Sequence, residues 1–201
     1  MPSEKESELE RLAQSAIEDE EVLAATLQGL VSKDEAYRYR CYQVLFQISQ
    51  DQPLVLYPKW DCLVELLQSK NTYQRCSAIN ILANLTLVDS QNRFEDIFDA
   101  YFDALDGQKL VPARYVARNA GKIARAKPEL QKLITRRLLD IEKTRHQQKD
   151  LIKADIIESL AAFYEDAWDK DTIITFVREQ LQSGSPKTRR AAQSFLAKLG
   201  G

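Results

Sequence analysis

Four cations share one side of a helical segment: Arg114, Arg118, Lys122 and Arg125, spaced 4, 4 and 3 residues apart. Steps of three and four residues place side chains on a common helix face. No acid falls between Lys109 and Lys127. Such a strip can hold an anion, either the carboxylates of an acidic protein segment or a phosphate backbone. The competing reading is a solvated face, with Arg114 used structurally and the others paired to the acidic helix of residues 95–106. The formal net charge of −2 conceals this asymmetry, because residues 107–139 carry +8 while residues 1–24 carry −6 and residues 89–106 carry −5.

A second candidate lies in residues 39–46. Tyr39, Tyr42 and Phe46 recur at helical spacing beside Arg40. Cys41, Leu45 and Ile48 already mark the adjacent buried face, so Tyr42 and Phe46 are expected in the core. Tyr39 and Arg40 remain as candidate contacts for a partner. Trp60 and Trp168 stand near helix starts, where large aromatics are expected to pack in the interior.

Catalytic chemistry finds no such cluster. His146 is the single histidine, and Cys41, Cys62 and Cys76 have neither metal-ligand nor disulfide spacing. No P-loop, GxGxxG or GxSxG pattern occurs. We therefore expect no catalytic residues, no metal, no cofactor and no small-molecule substrate. Three unpaired cysteines fit a reducing, cytoplasmic setting, with Cys41 buried. The acidic N-terminal residues do not read as a signal peptide, and no apolar run reaches the roughly 18 residues of a membrane span.

The elements that carry these residues repeat. Arg38, Arg75, Arg114, Lys153 and Arg189 follow one another at intervals of 37, 39, 39 and 36 residues. Small or apolar residues recur 3, 7 and 10 positions after each, which is one helix face. A helical period near 40 means stacked helix pairs. Helix A then helix B is expected in repeats at about 20–50, 53–88, 92–126, 128–165 and 169–200. Asp34, Asn71 and Ser185-Pro186 read as helix starts. Pro58 either opens the second A helix or kinks a longer one. Gly121 and Ala124 replace bulky residues, which points to close helix approach or a local change of curvature. Residues 1–19 read as an acidic capping helix, started by a Ser3–Glu6 capping box and burying Leu9, Leu12, Ala13, Ala16 and Ile17. Gly200 reads as a C-terminal cap.

The segments NTYQRCSAINILANL (71–85), SPKTRRAAQSFLAKL (185–199) and KDEAYRYRCYQVLFQI (33–48) resemble HEAT repeats, which belong to the armadillo-like helical repeats. The resemblance covers about residues 20–200. It implies an all-α, right-handed α-solenoid of about five helix pairs behind the capping helix. It also implies a ladder in which Asp34 with Arg38, and Asn71 with Arg75, take part. Repeats 3 and 4 depart from the pattern, with Leu110 and Lys149 at the turn position and Lys153 in place of arginine. The implied function is a non-catalytic scaffold or adaptor that binds another protein, an acidic or helical segment, along its concave B-helix surface. The residues expected to make contact are Tyr39, Arg40, Arg114, Arg118, Lys122 and Arg125. The alternative is nucleic-acid binding through the basic segment, with a link to DNA repair, because some alkylpurine DNA glycosylases use such scaffolds. Their Trp–Asp–Arg set has only Trp60-Asp61 as a counterpart, on an A helix away from Arg118.

Overall fold

The computed structural model describes residues 4–144 and 146–199, which form helices and turns with no strand among them. The fold class is all-α. The capping box starting at Ser3 and the Gly200 cap lie outside the described residues. Two compact units divide the chain, Met1–Arg93 and Phe94–Gly201.

The first unit contains α1 (Glu4–Glu18), α2 (Glu20–Gly29), α3 (Glu35–Asp51), α4 (Pro53–Leu56), α5 (Trp60–Leu67) and α6 (Thr72–Leu85). Short polar side chains start three of them. Asp19 accepts the Glu21 N–H at 2.8 Å, Asp34 accepts that of Tyr37 at 3.1 Å, and Asn71 accepts that of Tyr73 at 2.9 Å. Each such cap is worth about 1 kcal/mol over alanine. Pro58 sits in a 3-10 turn, Tyr57–Lys59, so the second A helix is a longer helix broken into α4 and α5. Helix α1 packs on α2 and α3, burying Ala13 and Ala16 but leaving Leu12 exposed. Tyr42 and Phe46 are half-buried, less covered than a core position would be.

Helix α6 is buried continuously from Cys76 to Leu85. A helix surrounded on all sides needs no amphipathic pattern, but it must pair its polar groups. Asn80 donates to Tyr42 Oη at 3.0 Å and Asn84 donates to Ser49 Oγ at 2.7 Å, both on the neighbouring α3.

The second unit contains α7 (Arg93–Phe102), α8 (Leu110–Ala126), α9 (Gln131–Leu139), α10 (Lys149–Ala161), α11 (Lys170–Glu179) and α12 (Pro186–Leu199). Helix α8 begins two residues before Pro112, after an extended Lys109. Helix α10 is the central one here: from Ile152 to Leu160 only Glu158 is exposed. It packs against α8 on one side and α12 on the other.

A common register links neighbouring helices within each unit. Asn80 with Tyr42, Gly121 with Ser159, Gln180 with Glu142 and Thr188 with Asp150 are all hydrogen-bonded pairs 38 residues apart. The recurrent arginines do not all bond alike. Arg38 donates to the Ser32 carbonyl at 2.8 Å, and Arg189 donates to Ser183 at 2.6 Å, each closing the turn six residues before it. Asp34 and Asn71 spend their oxygens on their own helix starts instead of on a ladder to Arg38 and Arg75.

Helices α8 and α10 approach closely at Gly121, whose N–H donates to Ser159 Oγ at 2.5 Å. A Cβ there would lie 2.6 Å from the Ser159 carbonyl oxygen and 2.9 Å from Ala162 Cβ. Neither neighbour is a flexible side-chain end. Gly121→Ala should therefore lower stability by about 1–3 kcal/mol despite alanine's better helix propensity. Chemical denaturation of both proteins checks this; equal or raised stability would mean that the two helices can separate freely.

Candidate functional site

The α8 cations are positioned by what lies beside them on α10. Asp155 is fully buried, at 0% exposure, in the middle of that helix. Arg114 grips it with two bonds, Nε to Oδ2 at 2.5 Å and Nη2 to Oδ1 at 3.2 Å. Arg118 Nε reaches Oδ1 at 3.1 Å, and Lys187 Nζ on α12 reaches the same oxygen at 2.8 Å. Three cations from two helices thus converge on one carboxylate. Burial by itself would raise the Asp155 carboxyl. The hydrogen bonds from Arg114, Lys187 and Arg118 outweigh it and hold the group below the ordinary aspartate range.

This arrangement changes the role expected of the strip. Arg114 is an anchor between helices, with its charge held higher by Asp155. Arg118 is shared: it bonds Asp155, yet its side chain remains 45% exposed. Lys122 is half-buried, and burial together with the nearby Arg125 charge makes its ammonium easier to deprotonate. Arg125 is exposed at the end of α8. The competing reading has Arg114 used structurally, as found, but pairs the others with the acidic helix of residues 95–106, whereas Arg118 bonds Asp155. Asp103 and Asp106 instead meet Arg137 of α9, at 3.4 and 2.5 Å.

Helix α12 supplies cations that the sequence reading passed over. Lys187, Arg190 and Lys198 line a groove of about 420 Å³ between α10 and α12. Its floor is apolar, from Ile157, Ala161 and Phe195, and Glu158 is the acid on its wall. The available signal was the spacing of Lys187, Arg190 and Lys198 on a helix that contains no acid. For Asp155, the signal was a lone acid among Ile152, Ala154, Ile156 and Ile157.

Tyr39 and Arg40 belong to the first unit and lie on α3. Tyr39 is exposed, with its ring 6.2 Å from that of Tyr42, and Arg40 pairs with Glu8 of α1. Trp60 is buried as expected, under the Arg93 guanidinium. Trp168 is not: it is 72% exposed. Ala167 is extended and Asp169 caps α11, so Trp168 lies in the turn before that helix rather than within it.

His146 is buried; its Nδ1 accepts the Gln148 N–H at 3.1 Å, which places the proton of a neutral ring on Nε2. Cys41 and Cys76 are buried and Cys62 is exposed. Among the described residues no group of three or more His, Cys, Asp or Glu side chains is placed to hold a metal ion, and no helix is long and apolar enough to cross a membrane.

No protein-family model matches the chain, and no curated protein is significantly similar to it. Among solved structures, the crystal structure of an engineered protein is similar, with a TM-score of 0.52 and 18% identity, covering 96% of this chain and 90% of that one. At that identity the likeness concerns the helical fold alone.

Removing one partner of a buried ion cluster leaves the others uncompensated. Asp155→Asn should lower stability near neutral pH by about 3 kcal/mol. A carboxylate depressed in the folded state contributes above its unfolded pKa of about 4 and loses that contribution as pH falls through the folded value. The gap between wild type and variant should therefore be constant above about pH 5 and shrink below about pH 4. Denaturation midpoints measured across pH 2–7 check both; a gap that ignores pH would mean that Asp155 is not held as the carboxylate.

Proposed function

We propose that this chain is a HEAT-like α-solenoid scaffold, without catalysis, that binds an acidic segment of another protein along its B-helix surface. The observation that carries the reading is the cationic surface running from α8 across Asp155 to α12, beside an apolar-floored groove. Hydrogen bonds that recur at an interval of 38 residues support stacked helix pairs within each unit. Stacking brings B helices side by side, so ladders of their side chains form a broad surface suited to a helix or peptide.

Arg118, Arg125, Lys187, Arg190 and Lys198 are the contact residues in this reading. Tyr39 and Arg40 are a separate candidate contact in the first unit, on the B helix of the first repeat. Two buried thiols, Cys41 and Cys76, and one exposed thiol, Cys62, accord with a reducing cytoplasm. The groove floor favours a protein partner over nucleic acid. A phosphate backbone meets cations equally well, but it has no apolar side chains to place on Ala161 and Phe195.

Arg190 and Lys198 are exposed and stand outside the Asp155 cluster. Arg190→Glu combined with Lys198→Glu should keep the wild-type melting temperature. It should weaken binding of a glutamate-rich helical peptide by about tenfold or more, as loss of central charged contacts commonly does. Fluorescence anisotropy of the labelled peptide reads this, with duplex DNA titrated in parallel. Peptide affinity that is unchanged by the double substitution removes the proposed surface. DNA affinity falling with salt at a log–log slope of about −0.9 per phosphate contacted would establish the nucleic-acid alternative.

A further inference from the structure

Trp168 is the most exposed of the large apolar side chains described. Exposed tryptophan discards the largest burial gain open to a side chain. Its placement is nevertheless ordered. The backbone is extended at Ala167 and then fixed by Asp169, which accepts the Thr172 N–H at 3.0 Å. The Lys132 ammonium stands 4.1 Å from the ring centroid, a cation–π contact that holds the indole in place. The ring borders a pocket of about 660 Å³ whose other walls include Arg125, Pro128, Glu129, Lys132 and Asp166.

Arg125 makes this pocket continuous with the basic strip. It is the last cation of α8, a helix with no acid in it. Arg114 and Arg125 are about 16 Å apart along the helix axis, at 1.5 Å per residue. Arg125 belongs to both the strip and the pocket, so a segment bound at Arg118 and Arg125 has the Trp168 pocket within reach. There Glu129 and Asp166 offset Arg125 and Lys132, so the lining no longer selects for an acid. With the charges of the lining balanced, the exposed indole is the feature that distinguishes the pocket, and it favours an apolar side chain.

We propose that the Trp168 pocket is an anchor site for one apolar side chain, such as Leu or Phe, at the end of the acidic partner segment; this rests on the binding reading above. The Lys132 contact favours the observed ring position, and Trp and Arg are both enriched among the residues that carry interface energy. The strip then supplies attraction and the pocket supplies selectivity among acidic segments.

Two synthetic glutamate-rich peptides of equal charge test this on the full chain, one ending in a Leu-Phe pair and the other in Ala-Ala. The Leu-Phe peptide should bind about tenfold more tightly, the loss typical of truncating one anchor. It should also shift and shield the emission of Trp168, while buried Trp60 stays silent. Trp168→Ala should erase the difference between the two peptides and leave the Ala-Ala affinity unchanged. Equal affinities with unaltered tryptophan emission overturn the anchor but leave the charged surface standing. Failure of both peptides to bind at low salt overturns the binding reading and the anchor together.

Discussion

A single carboxylate with no solvent contact organises the second unit. Taking an ion out of water costs several kcal/mol, and mutual attraction repays this only with good geometry and saturated hydrogen-bonding groups. Asp155 meets that condition with donors from both flanking helices: Arg114 and Arg118 from α8, and Lys187 from α12. The three cations surround one acid and so leave surplus positive charge at the surface. The stabilising cluster and the candidate binding surface share Arg118 and Lys187. Arg118 shows this most directly, since one edge of its guanidinium serves the interior while the rest faces water.

The first unit solves a similar problem without charge. Its buried helix α6 presents Asn80 and Asn84 to α3, where Tyr42 and Ser49 accept. Neutral pairs carry smaller desolvation costs than ions and smaller penalties when disturbed. Around Asp155 each helix is fixed by groups whose removal strands another charge.

Local chemistry was legible in the sequence because it is local. Asp34, Asn71 and Ser185-Pro186 mark helix starts within a few residues of the groups they bond. Gly121 pointed to close helix approach for a reason that needs no partner identity, namely the missing Cβ. Asp155 and Trp168 were not legible, for opposite reasons. The partners of Asp155 lie 41 and 32 positions away, so its apolar neighbours mark it as buried without naming what it bonds. Trp168 was expected inside on the strength of its residue type. Its exposure follows from the extended turn before the Asp169 cap, a backbone detail that composition does not encode. The charge of the α8 strip was plain in the sequence; which of its members were already engaged was not.

The specific pairing of partners across neighbouring helices has an evolutionary corollary. Helix pairs joined by apolar contact alone could be duplicated, deleted or shuffled with modest loss, since one oily face fits another. Here Gly121 requires Ser159 opposite it, and Asp155 requires the Arg114–Arg118 pair on one flank and Lys187 on the other. A copied pair inserted between them would present the wrong key to both neighbours. The segments look alike in sequence, yet each has become specific to its place in the row.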